Sequence, residues 1–232
     1  MPRIAPKLLL LALAGGFCAD AQPTAPSPNA EHLKTGQFMY RTVIHGKDAG
    51  NSEISIHKMP GSGNFAYTNR VSGAFSQQWE AILPRASVLS RQTYLWRIRK
   101  KRPEFELNYE KGRVTGWASG KGQIDVVVLP DTVDQRIDWA AAMSQDLVPG
   151  HEFAFHVFDP VTGTSRVTGR IAGPETVRVP AGIFEAMRIV YRIEKARGTE
   201  VYQILTNRDG PRMALKEEFP NGAVSELVQV RE

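Results

Sequence analysis

The sequence predicts a mainly β domain: a single antiparallel sheet, curled or barrel-like, with one α-helix packed against it. Three observations carry that expectation. Apolar and polar residues alternate with period two along most of the chain; successive side chains of a strand point to opposite faces, so each such stretch reads as half-buried. The stretches are short and joined by turns containing glycine or proline, as in antiparallel architecture rather than alternating β and α units. Only one segment has helical spacing.

An N-terminal segment of different character comes first. Arg3 and Lys7 precede the apolar run Leu8 to Ala14, and small residues lead to Ala19-Asp20-Ala21. A positive region, a short apolar core and an A-x-A-like site, in that order, make residues 1–21 a signal peptide. The apolar core is shorter than the roughly 20 residues a membrane span needs, so cleavage after Ala21 and a periplasmic destination are expected. Cys18 is the only cysteine and follows Phe17. A lipoprotein signal has a small residue there, so lipid anchoring at Cys18 is not expected. The mature chain then holds no thiol, which excludes disulfides and cysteine metal sites and suits an oxidising compartment. Gln22 to Asn29 are rich in proline and small polar residues, which predicts a disordered spacer over 22–35 and a single β-rich domain over 36–232. Losing Arg3, Lys7 and Asp20 takes the net charge from +5 to +4. Charge that modest favours solubility and does not point to nucleic acid.

Within the domain, Ile54 and Ile56 alternate with Ser55 and His57. Beyond Pro60-Gly61-Ser62-Gly63, Phe65, Tyr67 and Val71 alternate with small or polar neighbours. Tyr94, Trp96 and Ile98 take one face of the next clear strand, with Thr93, Arg97 and Arg99 opposite. Phe105, Leu107 and Tyr109 follow, then Phe153, Phe155 and Val157, then the longest run, Met187, Ile189, Tyr191 and Ile193. Asn221-Gly222 supplies the positive-φ residues of a tight hairpin between Met213–Phe219 and Ala223–Val230. About ten to twelve strands are expected in all. Thr132 to Leu147 is the helix: Val133, Ile137, Ala140, Ala141 and Met143 or Leu147 recur at helical spacing, Asp131 or Thr132 caps it, and Pro149-Gly150 ends it. Val133, Ile137 and Ala141 should face the sheet, with Asp134, Gln135 and Asp138 in solvent. Such a helix covers an open end or edge of a sheet.

The second half also has a recognisable order. A helix leads to Val148-Pro149-Gly150-His151-Glu152-Phe153, then to Val179-Pro180-Ala181-Gly182-Ile183-Phe184-Glu185-Ala186 before a long strand, and then from Tyr202–Thr206 to Gly210-Pro211-Arg212-Met213. Over Gly36 to Val230 this resembles the exported bacterial family known as domain of unknown function 3108, with YmcC-like folds. The resemblance implies a β-barrel-like domain of the periplasm or cell envelope and carries no catalytic residues.

No chemistry outweighs a structural role. His32, His45, His57, His151 and His156 are scattered, and His151 and His156 point to opposite faces of one strand; zinc needs three or four converging ligands, so no metal site is expected. There is no G-x-S-x-G elbow. Carboxylates pair at Glu104/Glu106, Asp131/Asp134/Asp138 and Glu217/Glu218. The first pair lies beside Lys100, Lys101 and Arg102, and the acids around 134 suit a first helical turn, so no catalytic residue and no cofactor is assigned. The basic run Arg97 to Arg102 reads as a soluble strand end, or as a contact for anionic envelope material. It lacks the interleaved aromatics of a single-strand nucleic-acid groove.

The aromatics remain. A sheet curled around a cavity would present Trp79, Tyr94, Trp96, Trp117, Phe153 and Phe155 to an acyl chain, with Arg97, Arg99 and Lys101 at the rim for an anionic head. The expected function is that of a non-enzymatic envelope protein binding an amphipathic, lipid-like ligand or an envelope partner. A filled interior would favour an interaction module instead. Two carboxylates facing one another in a cleft, or a buried Ser-His-acid cluster, would favour a hydrolase.

Overall fold

The computed structural model describes residues 29–73, 76–97, 102–110 and 112–231. The signal-peptide assignment and residues 22–28 of the spacer lie outside the described residues, as do Ile98, Arg99, Lys100 and Lys101. The alternating stretches form β1 (Gly36–Ile44), β2 (Lys47–Lys58), β3 (Phe65–Gly73), β4 (Gln77–Leu83), β5 (Gln92–Arg97), β6 (Phe105–Glu110), β7 (Arg113–Ala118) and β8 (Gly122–Val127). After β9 (Thr132–Asp134) and the helix α1 (Asp138–Met143) come β10 (Glu152–Asp159), β11 (Gly163–Val179), β12 (Gly182–Lys195), β13 (Gly198–Asn207), β14 (Ala214–Glu218) and β15 (Ala223–Arg231). The fifteen strands among the described residues exceed the ten to twelve expected; β4 and β9, for instance, alternate too briefly or too impurely to register in sequence.

All fifteen join one sheet, in the order β8 down to β1, then β15 down to β9. Neighbours are antiparallel, except that β9 lies parallel to β10. Chain connectivity forces the curl. The two ends of this order, β8 and β9, are consecutive in sequence, separated only by residues 128–131. Five residue steps reach about 17 Å, whereas a flat sheet of fifteen strands would hold its edges about 67 Å apart. The edges must therefore approach each other, and side chains hold them together. Tyr109 of β6 donates to Asp134 Oδ2 at 2.6 Å. Arg136 donates to Asp134 Oδ1 at 2.9 Å, pairs with Asp159, and lies over the Phe105 ring at 4.3 Å. Phe158 of β10 joins Phe105, Leu107 and Val114 in a small apolar cluster.

The helix is shorter than expected and sits inside the curl. Thr132–Asp134 pairs with His156–Phe158 as a strand, because Val133 between two polar residues also suits an edge with free hydrogen-bonding groups. The Asp134 side chain accepts from Arg136 N at 2.9 Å, opening a 3-10 turn at Gln135–Ile137, and only Asp138–Met143 is α-helical. Val133, Ile137 and Ala141 are buried as the spacing predicts. Asp134 and Asp138 are not in solvent, however: they are 0% and 8% exposed. The sheet surrounds the helix instead of covering one side, and every residue of α1 is buried. Its C-terminal carbonyls find a donor in Arg212, which bonds Met143 O and, at 2.7 Å, Gln145 O.

The ordered chain begins ahead of Gly36, which corrects the spacer over 29–35. Asn29 caps a 3-10 turn at Ala30–His32, Ala30 and Leu33 are buried, and Lys34 N donates to Arg212 O at 2.8 Å. No helix among the described residues is long and apolar enough to cross a membrane.

Candidate functional site

Inward-facing residues shrink towards one end of the curl. In β1 they run Phe38, Tyr40, Thr42; in β2 Ile56, Ile54, Ser52, Gly50; in β15 Leu227, Ser225, Ala223. Large side chains close-pack the deep end with α1, but small and polar ones cannot fill the other. A cavity of about 340 Å³ remains there, between β1–β4, β13–β15 and the start of α1, within the size range of small-molecule sites. Asp138 and Trp139 lie at its inner end, while Ile44, Ala49 and Asn221, in or beside hairpin turns, form its mouth. Gly50 has φ +120°, and a Cβ on it would stand 2.0 Å from Ser72 O, so β2 and β3 approach each other here only because it is glycine.

The walls combine aromatics with carboxyl groups. Trp79, Trp139, Tyr202 and Phe219 line the cavity alongside Asp138 and Glu217. Asp138 accepts from Trp139 N at 2.7 Å. Burial pushes its carboxyl up to about 7, with the charge of Asp134 adding; bonds from Trp139 N and the Tyr191 hydroxyl, and the charge of Lys195, oppose the shift. Glu217 is likewise pushed up to about 7, by burial first and then by the negative charge of Asp138. Glu217 is half-buried and lines the cavity. Among the described residues, Asn69 Oδ1, Trp79 Nε1 and the Tyr67 hydroxyl are buried without a hydrogen bond of normal geometry, although the Tyr67 hydroxyl lies within reach of the Asn69 and Trp79 side chains; Asn69 and Trp79 line the cavity. Buried polar groups are nearly always paired, so these are places for a ligand or water to bind. A larger depression of about 950 Å³ lies beside Leu33–Gln37 and Ser55–Lys58, but none of the described unpaired buried atoms lines it.

The residues expected to bind a ligand do not converge. Trp79 reaches the cavity. Phe153 and Phe155 face inward but are packed solid in the core, stacked at 6.1 Å. Tyr94 and Trp96 lie on the outer face. Thr93 and Leu95 pair with inward-facing Ala81 and Trp79, while Tyr94 and Trp96 pair with Glu80 and Gln78; Thr93, expected outside, is fully buried. The two displaced rings cover each other by stacking at 5.4 Å. Trp117, opposite Glu106, is also outside and 43% exposed. Arg97 is exposed and pairs with Glu104 at 3.0 Å; Arg99 and Lys101 lie outside the described residues. An acyl tail resting on Trp96 inside the sheet is thereby ruled out. His156 bonds Asp131 at 2.9 Å, and no group of three or more His, Cys, Asp or Glu suited to a metal occurs among the described residues. Sequence reasoning missed Asn69, Trp139 and Tyr202, and named Asp138 and Glu217 only within carboxylate groups that it set aside. One signal was available: Asp138 is the only polar residue in the apolar run Ile137-Asp138-Trp139-Ala140-Ala141-Ala142-Met143.

No curated protein sequence matches the chain. Among solved structures it is similar to a β-barrel-like protein of domain of unknown function DUF1849 from Brucella abortus, at TM-score 0.54 and 10% identity over 85% of this chain and 97% of that one. A candidate exported protein with a YmcC-like fold from Bacteroides fragilis aligns at TM-score 0.36 and 9% identity, over 86% and 97% of the two chains. A candidate lipoprotein from Parabacteroides distasonis aligns at TM-score 0.37 and 8% identity, over 88% and 99%. The first likeness supports the curled β fold and nothing further. The family model described as protein of unknown function, DUF3108, matches residues 61–228, which run from the β2–β3 turn through α1 into β15, and on that match the chain belongs to the DUF3108 family.

Proposed function

We propose that this is an exported, non-enzymatic envelope protein that takes an amphipathic ligand into the cavity beside α1. One observation carries the reading. A largely apolar cavity opens at the hairpin end, while unpaired polar atoms and two carboxyl groups are concentrated further in. Such a site suits a ligand whose polar end enters first and whose apolar part rests on Val71, Phe219 and Ile44, nearer the mouth. The N-terminal sequence supports export, with a mature chain starting near Gln22.

Native mass spectrometry of protein purified from its own envelope tests both parts. The intact mass should correspond to a chain beginning near Gln22, without a diacylglycerol on Cys18. A co-purifying small molecule should be present and should be lost from Ala49→Trp, which fills the mouth without touching the core. Empty wild-type protein that also binds no amphiphile on titration would overturn the binding reading.

A second reading, hydrolysis, draws on the same carboxyl pair. Asp138 and Glu217 are close enough for one charge to act on the other, and a neighbouring acid and carboxylate are what acid–base hydrolysis requires. Turnover of aryl glycosides or aryl esters by the wild type, abolished in Glu217→Gln, would establish it.

A further inference from the structure

Glu217 makes no side-chain hydrogen bond or ion pair with the described residues, although it is half-buried on the cavity wall. Asn69, 7% exposed, also lines that cavity with its Oδ1 unpartnered. Asp138 completes a set in which hydrogen-bond acceptors outnumber unpaired donors. Among the described residues the one guanidinium at the wall, that of Arg136, is already committed to Asp134, Asp159 and the Phe105 ring. An anionic head would meet two carboxyl groups and, among the described residues, no free cation at the wall, the opposite of the rim of arginines expected from the sequence. Aromatic faces beside carboxylates instead form a cation site.

We propose that the cavity binds the ammonium end of an amine with an apolar tail, with Glu217 and Asp138 as counter-charge and Asn69 as a further acceptor. This rests on the reading of the cavity as a ligand site and specifies its ligand class. The groups that act electrostatically on Glu217 and Asp138 are each other, Asp134, Tyr40, Tyr67, Tyr191, Tyr202 and Lys195. Only Lys195 among them is a cation, so a bound ammonium supplies charge that the cavity lacks. Its binding favours the ionised carboxylates and releases protons.

Isothermal titration with n-octylammonium, n-octanol and n-octanoate separates the possibilities. Octylammonium stays charged between pH 5 and pH 8, whereas the carboxyl groups, pushed up to about 7, ionise across that range. Its affinity should rise about ten-fold or more from pH 5 to pH 8, with proton release seen in buffers of different ionisation enthalpy. Glu217→Gln should remove much of that rise, Asp138 keeping the rest, and should weaken octylammonium at pH 8 far more than octanol. Octanol and octanoate binding as tightly as octylammonium at pH 8 would overturn the cationic assignment and leave the ligand site standing. Failure of all three to bind would overturn the site itself.

Discussion

Glu217 gives a quantitative test of the buried acidic cavity that needs no ligand. Its carboxyl ordinarily releases its proton near 4.5, but in the folded protein it holds the proton up to about 7. Between those values the folded state keeps a proton that the unfolded state has lost, so stability falls as pH rises. The contribution is fully present below about pH 4.5 and fully lost once pH has risen through about 7. Each pH unit of that interval costs about 1.4 kcal/mol, so the whole amounts to about 3 kcal/mol. Glu217→Gln keeps the shape and cannot ionise. It should match the wild type at pH 4.5 and exceed it by up to about 3 kcal/mol at pH 8. Urea unfolding followed by tryptophan fluorescence at both pH values measures this; with a urea slope of about 2–3 kcal/mol/M the midpoint should move by about 1 M. Asp159 and Glu200, whose carboxyls are held below their ordinary values, change stability in the opposite direction. They are common to both proteins and cancel in the difference. Parallel curves for wild type and variant would show that Glu217 is hydrated and ionised throughout, and the reasoning would fail.

Two further substitutions test the frame around the cavity. Ile137→Asp places an unpaired charge at a fully buried position and should cost several kcal/mol, read as a fall in the thermal midpoint; an unchanged midpoint would mean that the segment does not pack inside the sheet. Arg136→Met leaves Asp134 buried without its cation and should cost about 3–5 kcal/mol, with faster amide exchange in β6 and β9 than elsewhere; equal protection across the sheet would show that these side chains do not hold its edges together.

Much of the fold was legible in the sequence, because burial on one face writes itself as alternation. Phe65, Tyr67, Leu107, Ile189 and Ile193 are inside where that pattern puts them. The pattern fails where both faces carry plausible residues. In Thr93-Tyr94-Leu95-Trp96 the larger aromatics suggest the inner face, yet register with Ala81 and Trp79 places Thr93 and Leu95 there, and register is a property of the neighbouring strands. The helix failed for another reason. Its apolar positions were identified correctly, but helical spacing cannot say whether a sheet passes on one side or on all sides, and that decides whether Asp134 and Asp138 meet water. The cavity was illegible because it forms from an absence of bulk shared among β1, β2, β3 and β15. Glu217, beside Glu218 in sequence, looks like an ordinary surface acid until β14 is placed.

The pairing of β1 with β15 has a consequence for how the molecule comes to be folded. Gln37 lies opposite Arg231, so the strand that joins the two halves of the sheet is supplied by its first and last members. Each half can form hairpins as it is made, since every other antiparallel neighbour is adjacent in sequence. The seam between them closes only when β15 is available. Until then β1 presents an unpaired edge and the inner face of the first half lacks its partner, and contacts of such long sequence separation form slowly. A chain with this topology remains open until nearly all of it is present.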